Sequence, residues 1–169
     1  GLGDVYKRQQ EMLVARYYAE LHSGKGISDM EKKIVSQPYY SSQSTYPPRY
    51  YQRNAVNRTV EAIARGQQRL LLVMATGTGK TYTAFQIVYR LLRSDLKKRI
   101  LYLADRNILV DQSILQDFAP LEKTIYKVDF SDKECLSKIA SREVNFALYH
   151  QMVGQNDEEH FKQIPAEYF

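Results

Sequence analysis

Met74-Ala75-Thr76-Gly77-Thr78-Gly79-Lys80-Thr81 decides how this chain reads. The octet follows an apolar run, Leu70-Leu71-Leu72-Val73, and opens onto a segment, 82–92, with helical spacing. A strand, a glycine-rich turn carrying Lys-Thr and then a helix is the setting in which such a turn binds a nucleoside triphosphate. Glycine tolerates the positive φ that turns backbone N–H groups inward toward phosphate oxygens, which is the use expected of Gly77 and Gly79. The helix start adds its own N–H groups and the positive end of its dipole. Lys80 is then placed to reach the β- and γ-phosphates and Thr81 to ligate Mg²⁺, with Thr76, Gly77, Thr78 and Gly79 forming the cradle. The full pattern asks for a glycine where Met74 stands, so the motif is incomplete at its first position. A turn that merely closed a strand–helix unit would have no need of a lysine and a threonine at the helix start.

Outward from the octet, strands alternate with helical segments. A helix is predicted over 50–65, with Val56, Val60, Ile63 and Ala64 on one face and Gly66 as its stop. A strand over 69–74 leads into the loop and a helix over 80–93. A strand at 99–104 follows, then a helix over 108–118 ended by Pro120, and a strand at 123–128. A short helix capped by Ser131 with Glu134 and a strand at 144–149 complete the pattern, and the tail from 156 is polar and partly helical. Strands separated by helical segments imply crossover connections and a mainly parallel sheet. Upstream, residues 1–9 match nothing that follows, 10–22 carry helical spacing, and Ser28 with Glu31 is a capping box for a short helix to about 35. Residues 37–49 shift to Pro, Ser, Tyr and Gln, which reads as a linker. The organisation expected is therefore a helical segment with linker over 1–46 and a nucleoside-triphosphate-binding domain over 47–169.

Composition sets outer limits. A chain of 169 residues with 44% hydrophobic and 25% charged residues is ordinary for one globular domain, or part of one. One cysteine, Cys135, excludes a disulfide within the chain and a cysteine-rich metal site. His22, His150 and His160 lack ligand spacing. No apolar run has the length of a membrane span. These features favour a reducing cytoplasm. A net charge of +5 permits nucleic-acid binding without diagnosing it.

Three further clusters could carry chemistry. Tyr50-Tyr51-Gln52 opens the first helix of the alternation, and a glutamine amide can both donate to and accept from an adenine edge while a neighbouring aromatic or arginine stacks on the base. Taken alone, the cluster also fits an ordinary helix start with exposed tyrosines. Asp105-Arg106-Asn107, with Gln112 beyond, lies at the C-terminal end of a predicted strand, where ligands of open parallel sheets bind, and suits a phosphodiester backbone. A solvated helix cap is the plain alternative. Tyr149-His150-Gln151 follows another strand end and suits sugar or base contacts, with an equally plain alternative. Glu31-Lys32-Lys33 has the Glu-x-Lys spacing of metal-dependent nucleases, but it reads as helix and no apolar strand bearing an Asp precedes it, so nuclease chemistry is not assigned to it.

Together these residues resemble the start of the motor region of a type I restriction enzyme R subunit, within the superfamily 2 helicases. The resemblance runs from about residue 48 to the end and is densest over 50–117. Tyr51-Gln52-Arg53-Asn54-Ala55-Val56 is similar to the family's adenine-reading glutamine motif, and Met74–Thr81 to its first ATPase motif, in which the missing glycine is normal. The stretch 103–112 resembles the segment that grips DNA, and 146–152 the next DNA-facing strand and loop. The resemblance implies a RecA-like, mainly parallel P-loop α/β sheet with flanking helices, truncated before the Asp-Glu strand and preceded by a short helical segment. It implies ATP and Mg²⁺ as cofactors, with Lys80 and Thr81 catalytic and Tyr51 and Gln52 at the base. Arg106, Asn107, Gln112 and Gln151 would lie on double-stranded DNA, with modification and specificity subunits as partners.

The Asp-Glu motif and the second lobe with its arginine finger would lie beyond residue 169. An arginine finger alone is worth about 10³–10⁵ in rate, so little turnover is expected of these residues by themselves. The strand carrying Asp-Glu would also neighbour the phosphate-loop strand, so the chain alone is expected to be unstable or to aggregate. The neighbouring readings are another superfamily 2 helicase, a type III restriction subunit, or a nucleotide- or DNA-binding module without catalysis. A small-molecule kinase or GTPase is disfavoured, because no Asn-Lys-x-Asp element occurs and the Tyr-Gln element would be idle.

Overall fold

The computed structural model describes residues 28–42, 46–105, 116–153 and 159–169. The Ser28 hydroxyl accepts from the Glu31 N–H at 3.2 Å, and Glu31 Oε2 accepts from the Ser28 N–H at 2.9 Å. This reciprocal cap starts helix α1, Asp29–Ser36, as the sequence predicts. Helices α2 (Tyr50–Ala64) and α3 (Lys80–Arg93) also form where their periodicity places them. Gly66, at φ +84°, closes α2: its N–H donates to Ile63 and the Gln67 N–H to Ala62, so the last carbonyls are satisfied by a left-handed stop.

The three strands β1 (Ile100–Ala104), β2 (Ile125–Lys127) and β3 (Val144–Leu148) form one parallel sheet in the order β1-β3-β2. Ile100 is in register with Val144, Ala104 with Leu148, and Ile125 with Val144. β3 lies in the middle and all five of its residues are buried, four of them apolar, while Asn145 donates its amide N–H to the Ile139 carbonyl at 3.2 Å. Helix α4 (Cys135–Ser141) makes the crossover from β2 to β3, and α5 (Tyr149–Val153) leaves the end of β3.

Val144, Phe146 and Leu148 point to one face of the sheet, where they meet Phe85 and Val88 of α3, together with Phe118 and Leu121. Phe118 stands edge-on to Phe146 at 5.0 Å and to Phe85 at 5.4 Å, an aromatic contact that locks α3 to the sheet. Burying one side chain of this size stabilises the fold by roughly 1.5–3 kcal/mol. Ala147 faces the other way, into a second cluster with Val128, Cys135, Ile139 and Met152. A third cluster, Ile34, Val56, Val60 and Leu91, joins α1, α2 and α3. Arg65 adds an ion pair to Glu31 at 3.0 Å across the α1–α2 contact.

Several expectations are corrected. Residues 69–74 form no strand: Leu71 is 88% and Val73 87% exposed. Strand preference is realised only through a ladder and a packed face, and none of the described strands pairs with this run. The strand at 123–128 shortens to β2 because a 3₁₀ turn, Ala119–Thr124, with Pro120 as its second residue, consumes its first residues. Ser131 does not cap α4. Its hydroxyl donates to Asp129 at 2.7 Å and the Glu134 N–H donates to Asp132 at 2.9 Å, so a tight acidic turn precedes a helix that starts only at Cys135. Tyr149, expected to end the last strand, already belongs to α5. The tail contains 3₁₀ turns at His160–Gln163 and Ala166–Tyr168. The expected helix at 10–22 and most of the one at 108–118 lie outside the described residues.

Candidate nucleotide-binding site

The glycine-rich bend is present. Gly77 and Gly79 have φ of +77° and +79°, values that side chains disfavour. The two glycines differ in their surroundings. A Cβ on Gly77 would meet nothing within 4 Å, so only its dihedral needs glycine. A Cβ on Gly79 would sit 2.4 Å from Gln52 Nε2, so a side chain there would push the Gln52 amide aside.

The Ala75 carbonyl is the hub of the bend. It accepts from the Thr78 hydroxyl at 2.6 Å, the Thr78 N–H at 3.4 Å and the Lys80 ammonium at 3.2 Å. Lys80 therefore folds back onto its own loop. Moving its ammonium to a phosphate oxygen exchanges a neutral acceptor for an anionic one and so adds ion-pair attraction to a charge-assisted bond. Thr76, Gly77 and Lys80 are exposed, while Thr78, Gly79 and Thr81 are half-buried at the start of α3. The Thr83 hydroxyl bonds the Gly79 carbonyl at 3.0 Å and tightens that first turn.

Gln52 links the bend to a neighbouring cavity. Its Oε1 accepts from the Arg49 N–H at 2.8 Å and its Nε2 donates to the Thr78 carbonyl at 2.9 Å. These bonds fix the amide orientation and leave one lone pair and one N–H of the side chain for a further partner. The cavity beside it has a volume of about 560 Å³, within the usual range for ligand sites. Tyr46, Pro47, Arg49, Gln52, Tyr82, Gln116 and Asp117 line it. The Tyr46 ring stands 90% exposed at the rim. Burial pushes the Asp117 carboxyl above its ordinary pKa, and burial also raises the Tyr82 phenol.

The sequence singles out Gln52 but not its companions. Tyr46, Pro47, Arg49, Tyr82, Gln116 and Asp117 come from three separated segments, and none of them was singled out by a local signal. Tyr51 is not among the lining residues; its hydroxyl accepts from Arg49 Nη1 at 3.3 Å and its ring packs edge-on to Tyr50. At the C-terminal edge of the sheet, Asp105 after β1 and the Tyr149–Gln151 stretch of α5 are brought together, because Ala104 is in register with Leu148. Gln151 is half-buried there. Arg106, Asn107 and Gln112 lie outside the described residues. Glu31 spends its carboxylate on Ser28 and Arg65. No group of three or more potential metal-ligating side chains is found among the described residues, and none of their helices is long and apolar enough to cross a membrane.

Comparison with known proteins bears on the same region. A family profile described as type III restriction enzyme, res subunit, matches residues 45–169. The type I restriction enzyme EcoAI endonuclease subunit of Escherichia coli is 47% identical over 146 residues, covering 86% of this chain and 17% of that protein. The EcoKI endonuclease subunit of Escherichia coli strain K12 is 53% identical over 66 residues, 39% of this chain and 6% of that protein. UvrABC system protein B of Bacillus cereus is 34% identical over 91 residues, 53% of this chain and 13% of that protein. Among solved structures, one described as a fragment of an HsdR subunit of a type I restriction enzyme from Vibrio vulnificus YJ016 superposes with a TM-score of 0.64 at 31% identity, covering 90% of this chain and 25% of that one. The chain thus spans a small part of the length of the relatives it matches, and its small parallel sheet with flanking helices agrees with a RecA-like helicase-domain fragment.

Proposed function

The chain belongs to the family described as type III restriction enzyme, res subunit, and is homologous to type I endonuclease subunits; from that premise we propose that it forms the ATP-binding part of a DNA translocase serving restriction. The observation that carries this is the shared use of Gln52: one amide touches the phosphate loop through Thr78 and borders a cavity sized for a base and sugar.

In this reading the polyphosphate lies over residues 76–81. Gly77 and Gly79 let the backbone turn toward it, the first turn of α3 supplies N–H groups, and Lys80 leaves the Ala75 carbonyl for the β- and γ-phosphate oxygens. The adenine enters the neighbouring cavity, reads the remaining donor and acceptor of Gln52, and stacks near Tyr46 and Arg49. The chemistry of the donors fits Mg²⁺, which is commonly held by phosphates and one or two protein oxygens and needs no dedicated protein cage. Thr81 would be its ligand from this chain, and the ion supplies charge neutralisation to the bound phosphates. Double-stranded DNA is assigned to Arg106, Asn107, Gln112 and Gln151, of which Gln151 lies at the C-terminal edge of the sheet, and modification and specificity subunits are the expected partners. A cytoplasmic setting follows from these partners.

The test is ATP hydrolysis by the full-length protein with its partner subunits, measured with and without duplex DNA. Hydrolysis that rises on adding DNA is expected. Absence of hydrolysis under both conditions, in a preparation that still assembles, would contradict the proposal.

A further inference from the structure

Tyr82, Gln86 and Arg90 recur every fourth residue and so share one face of α3, the helix that begins at the phosphate loop. A polar stripe in the middle of a packed helix costs stability unless each group is satisfied. Here all three reach the segment that precedes α2, and each reaches its main chain. Arg90, 1% exposed, donates to the Ile34 carbonyl at 2.7 Å and to Asn57 at 2.7 Å. Gln86, fully buried, accepts from the Tyr40 N–H at 3.0 Å and donates to the Tyr40 carbonyl at 3.0 Å. Tyr82 donates to the Tyr46 carbonyl at 3.3 Å.

Gln86 is the pivot of the three. The Tyr40 N–H and carbonyl together fix which end of the amide is oxygen. The second N–H of Nε2 is thereby directed to the Tyr82 hydroxyl, at 3.0 Å. That hydroxyl must accept from Gln86, which leaves its own proton for the Tyr46 carbonyl. Tyr82 and Tyr46 both line the 560 Å³ cavity, and Pro47 and Arg49 continue its wall. The proton order of the whole chain, from Tyr40 to Tyr46, is set by one side chain that touches neither the cavity nor the phosphate loop.

We infer that Gln86 is a positioning residue for the base compartment, holding the Tyr46–Arg49 wall against the phosphate-loop helix through Tyr40 and Tyr82. The inference rests on the nucleotide reading above. It separates two parts of the site: the phosphate cradle, which Gln86 does not contact, and the base wall, which it orders.

The separation is measurable in the full-length protein by calorimetric titration with ATP and with tripolyphosphate, a probe that fills the cradle without a base. Gln86→Met keeps the side chain's length and removes its hydrogen bonds. It is expected to weaken ATP about five- to tenfold, the scale of one or two net hydrogen bonds, and to leave tripolyphosphate unchanged. Tyr82→Phe deletes only the hydroxyl and is expected to shift ATP in the same sense by a smaller factor, with no added effect in the double variant, because both act through one path. Equal losses for ATP and tripolyphosphate would make Gln86 a general structural residue and overturn the inference, as would unchanged ATP affinity in both variants. If Gln86→Met does not fold, Tyr82→Phe decides alone: an unchanged ratio of the two affinities overturns the inference. A wild-type protein that binds neither ligand instead overturns the nucleotide reading itself.

Discussion

Gln52 Nε2 and the Thr78 carbonyl lie 2.9 Å apart, so the residue read as the base selector is also a strut of the phosphate loop. Its other end holds the Arg49 N–H at the start of α2. Base recognition and loop geometry are therefore joined through a single side chain. Gln52→Ala should weaken ATP binding about tenfold, the scale of one or two hydrogen bonds, and collapse the preference for ATP over GTP. Competition titrations with the two nucleotides check this; an unchanged preference would remove Gln52 from the base.

The two loop glycines should fail differently. Gly77→Ala meets only the left-handed dihedral, a strain of about 1–2 kcal/mol. Gly79→Ala meets that strain and also drives Gln52 Nε2 away, since the new Cβ would sit 2.4 Å from it. Both variants should bind ATP more weakly, but only Gly79→Ala should also lose discrimination between ATP and GTP. Equal discrimination in the two variants would break the proposed link between loop and base.

Asp117 gives a pH signature. Burial raises its pKa above the ordinary 3.8, so between 3.8 and that raised value the folded state holds more protons than the unfolded state. Stability contributed at this position is accordingly present at low pH and lost as pH rises through the folded pKa, leaving a penalty at neutral pH. Asp117→Asn should unfold at a higher denaturant midpoint than wild type at pH 7, and the difference should shrink as pH falls toward 3.8. A destabilisation of the same size at every pH would show that the carboxylate makes a contact the folded state needs.

Leu71 and Val73 stand almost fully exposed, and β1 is an edge strand of the described sheet. Exposed apolar runs next to unpaired strand edges promote association. The 169-residue chain by itself should self-associate in analytical ultracentrifugation, and Leu71→Lys with Val73→Lys should reduce this. A monodisperse wild-type monomer with a cooperative melt would contradict it.

How far the sequence could be read depended on whether a signal was local. Helices α1, α2 and α3 were legible because caps, glycine stops and periodicity lie within each segment, as with Ser28 and Glu31 or Gly66. The phosphate bend was legible because positive φ selects glycine at 77 and 79. Residues 69–74 misled because four consecutive apolar residues resemble a buried strand, yet a strand exists only through neighbours. The start of α4 misled because Ser131 offers a capping hydroxyl that Asp129 claims first. The cavity was invisible because Tyr46, Tyr82 and Asp117 are brought together only by packing. Tyr82, Gln86 and Arg90 fall four apart along α3, but nothing local says that their partners are backbone groups of an earlier segment.

Equilibrium binding of ATP with magnesium to the full-length protein, compared between wild type and Lys80→Ala, tests the central claim most directly. The account predicts saturable binding to the wild type and at least about tenfold weaker binding to the variant, since a charged hydrogen-bond partner of the phosphates is lost. Wild-type affinity in Lys80→Ala, in a protein that remains folded, would contradict the assignment of residues 77–81 as the phosphate cradle.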